Sequence, residues 1–229
     1  MTKKKRIGIL ISGRGSNMAA LIEACNAPDF PAEISLVVSN RPKAIGLQTA
    51  KDAGIQSLAI DHKAFKTREA FDEVLDETFT EAGVDLICSA GFLRILTADF
   101  VEKWKDKQLN IHPSLLPSFK GLNIHQRVLD AGVTVTGCTV HFMRTEMDSG
   151  PIIAQAAVPV YPKDTPESLG ERVLKAEHKL YPHALRMVAA EEVRVVNDRV
   201  VRSFNHETAS NETRQLFSPN LRDYKEFQT

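Results

Sequence analysis

Cysteine is scarce. The 229 residues hold Cys25, Cys88 and Cys138, an odd number without the paired spacing of a metal site or a redox dithiol, so reduced thiols are expected. Charge of one sign is lacking too: 29 basic residues balance 29 acidic ones. The one basic run, Lys3-Lys-Lys-Arg6, stands directly before a strand-like segment and reads as a solvated end rather than a nucleic-acid footprint. No apolar run approaches membrane-spanning length, no secretory signal pattern opens the chain, and no internal repeat or low-complexity block appears. The expectation is a cytoplasmic protein with neither a nucleic-acid nor a membrane partner.

What is present is an ordinary globular composition, 43% hydrophobic and 25% charged, in a chain long enough for one large α/β domain or two small ones. Its most informative stretch is Gln108-Leu-Asn-Ile-His-Pro-Ser-Leu-Leu-Pro117. Strand side chains alternate, so Asn110 and His112 share one face and Leu109 and Ile111 the other. Pro113 lacks the amide that a ladder needs and ends the strand. A histidine able to move a proton then sits two residues from an amide able to bond a developing oxyanion. The same side chains could instead satisfy loop backbone.

Residues 6 to 202 alternate between strand-like and helix-like segments without a linker. Strands are expected at 6–12, 34–39, 56–60, 84–89, 108–112, 133–142 and 152–160, with Leu109, Ile111, Val84, Leu86 and Ile87 in the central core. Helices are expected after Gly15 with Ser16 or Asn17 as cap, at 43–53, 67–82, 97–104, 124–131 and from Pro166 to about Glu191 with a bend at Pro182. Residues 193–196 and 199–202 suit a hairpin turning at Asn197-Asp198. From 203 to 229 the chain reads as a polar tail, leaving 1–202 as one domain. The alternation predicts a Rossmann-like α/β fold, a mostly parallel sheet with helices on both faces and ligands at the strands' carboxyl ends.

The first such end is Ser12-Gly-Arg-Gly-Ser-Asn17, where glycines let backbone amides approach an anion beside a helix N-terminus. A phosphate-bearing ligand fits it, as does a tight turn that binds nothing. A dinucleotide site would want glycine where Met18 stands and an acid where Ser39-Asn40-Arg41 stands, so a nicotinamide enzyme is the weaker reading. Ser89-Ala-Gly-Phe-Leu-Arg-Ile-Leu96 sets apolar side chains around Arg94, suited to a flat ligand carrying acid groups or to a covered loop. Asp148 lies in a loop before Ser149-Gly150; were it to reach His112, its charge would favour the imidazolium, whereas otherwise it is an ordinary turn aspartate.

Taken together, Ile11-Ser-Gly-Arg-Gly-Ser-Asn17, Ala90-Gly-Phe-Leu-Arg-Ile-Leu96, Asn110-Ile-His-Pro-Ser-Leu-Leu-Pro117 and His141 to Pro151 resemble, in order and spacing, the phosphoribosylglycinamide formyltransferases. The resemblance covers roughly residues 5 to 202. It implies transfer of a formyl group from the cosubstrate 10-formyltetrahydrofolate to a glycinamide ribonucleotide, without a metal, by a monomer or homodimer acting on small molecules. By motif position it implies Asn110, His112 and Asp148 as the catalytic trio. It implies Gly15, Ser16, Asn17, Leu174, Lys175, Ala176 and Glu177 on the ribonucleotide side. Arg68, Leu93, Arg94, Ile95, Leu96, Asn110 and the segment Arg144, Thr145, Glu146, Met147, Asp148 fall on the formylfolate side. Arg14 and Ser149 stand where that family often has a smaller polar residue and a glycine. The initiator methionyl-tRNA formyltransferases resemble the chain but add a tRNA-binding C-terminal domain. The formyltetrahydrofolate hydrolases add a regulatory N-terminal domain and carry histidine where Pro113 stands. A noncatalytic phosphoribosyl-binding module would need the glycine loop but not the trio.

Overall fold

The computed structural model describes residues 3–203, so the expected tail, apart from Ser203, lies outside the described residues. Nine strands and six α-helices alternate among them. A seven-stranded sheet has the order β3 (Ser57–Ala59), β2 (Ala32–Ser39), β1 (Lys5–Ile11), β4 (Leu86–Ser89), β5 (Gln108–His112), β6 (Val135–Phe142), β7 (Ile152–Pro159). The first five are parallel; β6 is antiparallel to β5, and β7 to β6. The helices are α1 (Ser16–Cys25), α2 (Ile45–Asp52), α3 (Arg68–Glu81), α4 (Ala98–Lys103), α5 (Ile124–Asp130) and α6 (Pro166–Ala189). The hairpin β8 (Val193–Val196) and β9 (Arg199–Arg202) follows α6, turning at Asn197 and Asp198, both with positive φ.

Alternation along β1 explains the two-layered core. Ile7, Ile9 and Ile11 pack with Met18, Leu21 and the buried face of α6, while Leu10 points into a second cluster with Phe71, Leu75 and Phe79 of α3 and Trp104. Gly8 belongs to that second face: a Cβ there would lie 2.5 Å from the Phe79 ring, so its absence admits the aromatic. Leu109 is fully buried, which contributes about 1.5–3 kcal/mol. Leu109, Ile111 and Leu86 join the first cluster and Ile87 the second. Val84 departs from expectation. It is half-buried against the second cluster, in the turn where its amide donates to the Phe79 carbonyl and closes α3 before β4 begins.

Thr67 and Thr97 cap α3 and α4 through their hydroxyls, and Thr165 with Ser168 forms a reciprocal capping box at the start of α6. Helix α6 continues as one element through Pro182. The buried Tyr181 hydroxyl, 3.1 Å from both the Ser89 and Leu109 carbonyls, ties α6 to β4 and β5. Among the described residues no helix is long and apolar enough to cross a membrane.

Candidate active site

His112 ends β5 and is 5% exposed. Its Nδ1 lies 3.4 Å from Asp148 Oδ2, an ion-pair distance, and its Nε2 lies 3.0 Å from the Phe119 carbonyl. Nε2 is thus within hydrogen-bonding distance of a carbonyl, and Nδ1 lies beside a carboxylate. Asp148 is brought there by a loop in which it adopts φ 51°, a left-handed conformation open to aspartate at modest cost. The Gly121 amide donates to Asp148 Oδ2 at 2.9 Å. Gly121 and Phe119 lie in the turn beyond the prolines, so backbone groups of one segment hold both members of the pair.

Asn110 points to the same face two residues earlier, and the antiparallel register sets His141 of β6 directly opposite it. Asn110 Nδ2 is 3.3 Å from His141 Nε2, and His141 Nδ1 is 2.9 Å from the Phe142 carbonyl. Burial lowers the His141 pKa, against the opposing influences of the Phe142 carbonyl and Asp148. A neutral ring donating from Nδ1 leaves Nε2 to accept one amide hydrogen of Asn110, and the second amide hydrogen can serve an oxyanion. His141 is the residue that motif reading left without a role. Its signal was the cross-strand register, which appears only once β6 is known to run antiparallel.

Beyond the carboxyl end of β1, α1 starts at Ser16 with Gly15 as its N-cap, not Ser16 or Asn17 as expected. Gly15 has φ 74°, and neither neighbouring side chain bonds the first turn, whose amides are thus available to an anion. Asn17 is spent elsewhere: its Nδ2 donates to Glu177 Oε2 at 2.7 Å, a bond joining α1 to α6. Asn17 Oδ1 is buried without a partner among the described residues, and burial raises the Glu177 pKa although the Asn17 bond opposes it. A buried carboxylate beside an orphaned acceptor fits a ligand presenting hydroxyl groups. Ser16 lines a groove of about 550 Å³ with Glu23, His178 and Lys179. Lys175 and Ala176 line a separate groove with Ala156 and His183, and Leu174 is half-buried. Arg14 is exposed.

The residues expected on the formylfolate side differ widely in exposure. Leu93 and Ile95 are 65% and 58% exposed, and Met147 is 51% exposed, whereas Leu96 is buried in the second core cluster. The Leu93 amide is fixed by Ser12 Oγ, which in turn donates to Asn40 Oδ1. Arg94 lies over the Phe71 ring, and its Nε is buried without a partner among the described residues. Arg68 is exposed at the start of α3. Thr145 and Glu146 are exposed in the loop, and Ser149 Oγ donates to the Glu146 carbonyl. Arg144 is committed to Asp106 and Asp198. Exposed apolar side chains beside an unpartnered buried guanidinium nitrogen fit a flat ligand carrying acid groups. No group of three or more His, Cys, Asp or Glu among the described residues could hold a metal ion.

A parallel sheet extended by two antiparallel strands, with an Asn and a His at the end of β5 and a glycine loop after β1, defines the class as a Rossmann-like α/β protein. The family model described as Formyl transferase matches residues 5–185. The chain is 55% identical over 193 residues to the trifunctional purine biosynthetic protein adenosine-3 of Bos taurus, covering 84% of this chain but 19% of that protein. It is 41% identical to phosphoribosylglycinamide formyltransferase of Haemophilus influenzae, covering 80% of this chain and 86% of that one. The crystal structure of glycinamide ribonucleotide transformylase 1 from Symbiobacterium toebii superimposes with a TM-score of 0.86 at 42% identity, covering 88% and 95% of the two chains. The chain belongs to the phosphoribosylglycinamide formyltransferase family. It spans about a fifth of the length of the trifunctional relatives it matches.

Proposed function

We propose that the chain transfers the formyl group of 10-formyltetrahydrofolate to the glycinamide amine of 5-phosphoribosylglycinamide, a step of purine synthesis. The observation that carries this reading is the convergence of Asn110, His112 and Asp148 on one face at the end of β5. The unprotonated amine attacks the formyl carbon, and the carbonyl oxygen becomes an oxyanion held by the second amide hydrogen of Asn110. His112 moves a proton from the attacking nitrogen to N10 of the folate. The C–N10 bond then breaks, releasing tetrahydrofolate and the formylated amine. The Nε2 proton, shared with the neutral Phe119 carbonyl, is the one that substrate competes for, while Nδ1 keeps its ionic partner Asp148.

Binding follows the same division. The first-turn amides of α1 with Ser16 take the phosphate, Glu177 takes ribose hydroxyls, and the rim of Leu93, Ile95 and Met147 takes the pterin and aminobenzoyl rings. Arg94 and Arg68 face the acid groups, and backbone groups of 93–96 and 144–148 supply polar contacts. His112→Asn tests the assignment. Turnover should fall by roughly 10²-fold or more while ribonucleotide affinity, measured by calorimetric titration, persists; near-normal turnover would refute it.

A further inference from the structure

Arg144 spans three chain segments. Its Nε donates to Asp198 Oδ1 at 2.8 Å, its Nη2 to Asp106 Oδ1 at 2.7 Å, and its Nη1 to the Met143 carbonyl at 2.9 Å, so each guanidinium nitrogen is engaged. Nη2 also approaches Asp198 Oδ1 within 2.7 Å, and the Arg144 side chain is only 13% exposed. Asp106 precedes β5 and Asp198 forms the turn of the β8–β9 hairpin; both have positive φ, 57° and 58°. The hairpin lies beyond residues 5–185, and neither the proton transfer nor the binding described above uses it. Yet its turn grips the loop that carries Asp148.

That loop is pinned at both ends. The Met143 amide donates to the Gln108 carbonyl at 2.8 Å, and Arg144 follows with its two carboxylates. At the far end Gly150 sits so close that a Cβ would lie 1.8 Å from the Phe142 carbonyl oxygen. We infer that the hairpin is a clamp on the formylfolate loop, with Asp198 and Asp106 acting as positioning residues that hold Arg144, and through it residues 144–148, in the geometry the cosubstrate meets. The inference rests on the transferase reading. Isolated surface ion pairs contribute little, but one largely buried guanidinium shared by two carboxylates is a network, in which loss of one arm strains the other.

The test is steady-state kinetics on Asp198→Asn, Asp106→Asn and the double variant, varying each substrate separately. Each single variant should raise KM for 10-formyltetrahydrofolate about two- to fivefold, and the double variant more. KM for the ribonucleotide and the cooperative unfolding of the protein should stay close to those of the unsubstituted chain. Equal rises in both KM values, or no rise in the double variant, would overturn the clamp while leaving the transferase reading intact. No turnover by the unsubstituted protein would overturn that reading and the clamp's role with it.

Discussion

His112 and Asp148 meet Nδ1 to Oδ2 at 3.4 Å, and the same aspartate oxygen accepts the Gly121 amide at 2.9 Å. The carboxylate is thus anchored by a backbone donor on one side and turned to the imidazole on the other. In Asp148→Asn an amide nitrogen or amide oxygen must take the place of that carboxylate oxygen, and the ring loses its acidic neighbour. We expect kcat to fall by roughly 10²-fold with both KM values within a few-fold, because ring orientation and not binding is lost. An unaltered kcat would remove Asp148 from the mechanism.

The Asn110–His141 contact makes a separate prediction. Replacing His141 by Phe keeps the volume near that of the ring but removes the acceptor that fixes the Asn110 amide. The amide proposed to hold the oxyanion is then free to rotate, and kcat should drop roughly tenfold, the scale on which orienting partners act. His141→Gln, which can still offer an oxygen to the amide, should recover part of the loss. Equal activity in the Phe and unsubstituted proteins would show that Asn110 needs no such partner.

Glu177 makes stability depend on pH with a definite sign. Burial raises its folded-state pKa above the ordinary 4.5, with the Asn17 bond opposing. Between these two values the folded state binds the proton more tightly than the unfolded state, so stability falls as pH rises through the window. Glu177→Gln removes that penalty. Its thermal midpoint should exceed that of the unsubstituted protein at pH 8, and the gap should close below about pH 4. Ribonucleotide affinity should meanwhile fall roughly tenfold, through loss of a charged acceptor. A variant less stable at pH 8 would contradict the account.

Much of this was legible in the chain itself. Near-continuous apolar runs such as Arg6–Ser12 announced buried parallel strands, and threonines before Arg68, Ala98 and Pro166 announced helix starts. The face shared by Asn110 and His112 followed from strand alternation. What stayed hidden depends on geometry between segments distant in sequence. The cross-strand register places His141 on Asn110. Left-handed Asp148 and Phe119 aim one carboxylate and one carbonyl at a single ring. Arg144, which the family resemblance sets on the formylfolate side, is drawn to two turn aspartates 38 and 54 residues away. Gly15 displaced Ser16 and Asn17 as the cap because its φ of 74° turns the chain into α1 and frees Asn17 for Glu177.

The most direct measurement mixes the purified protein with 10-formyltetrahydrofolate in the presence and absence of 5-phosphoribosylglycinamide, following deformylated folate and formylated ribonucleotide together. Deformylation is expected only when the ribonucleotide is present, with the two products appearing in equal amounts. Deformylation at the same rate without the ribonucleotide would make the chain a hydrolase and contradict the account, as would the absence of any formyl transfer to the ribonucleotide.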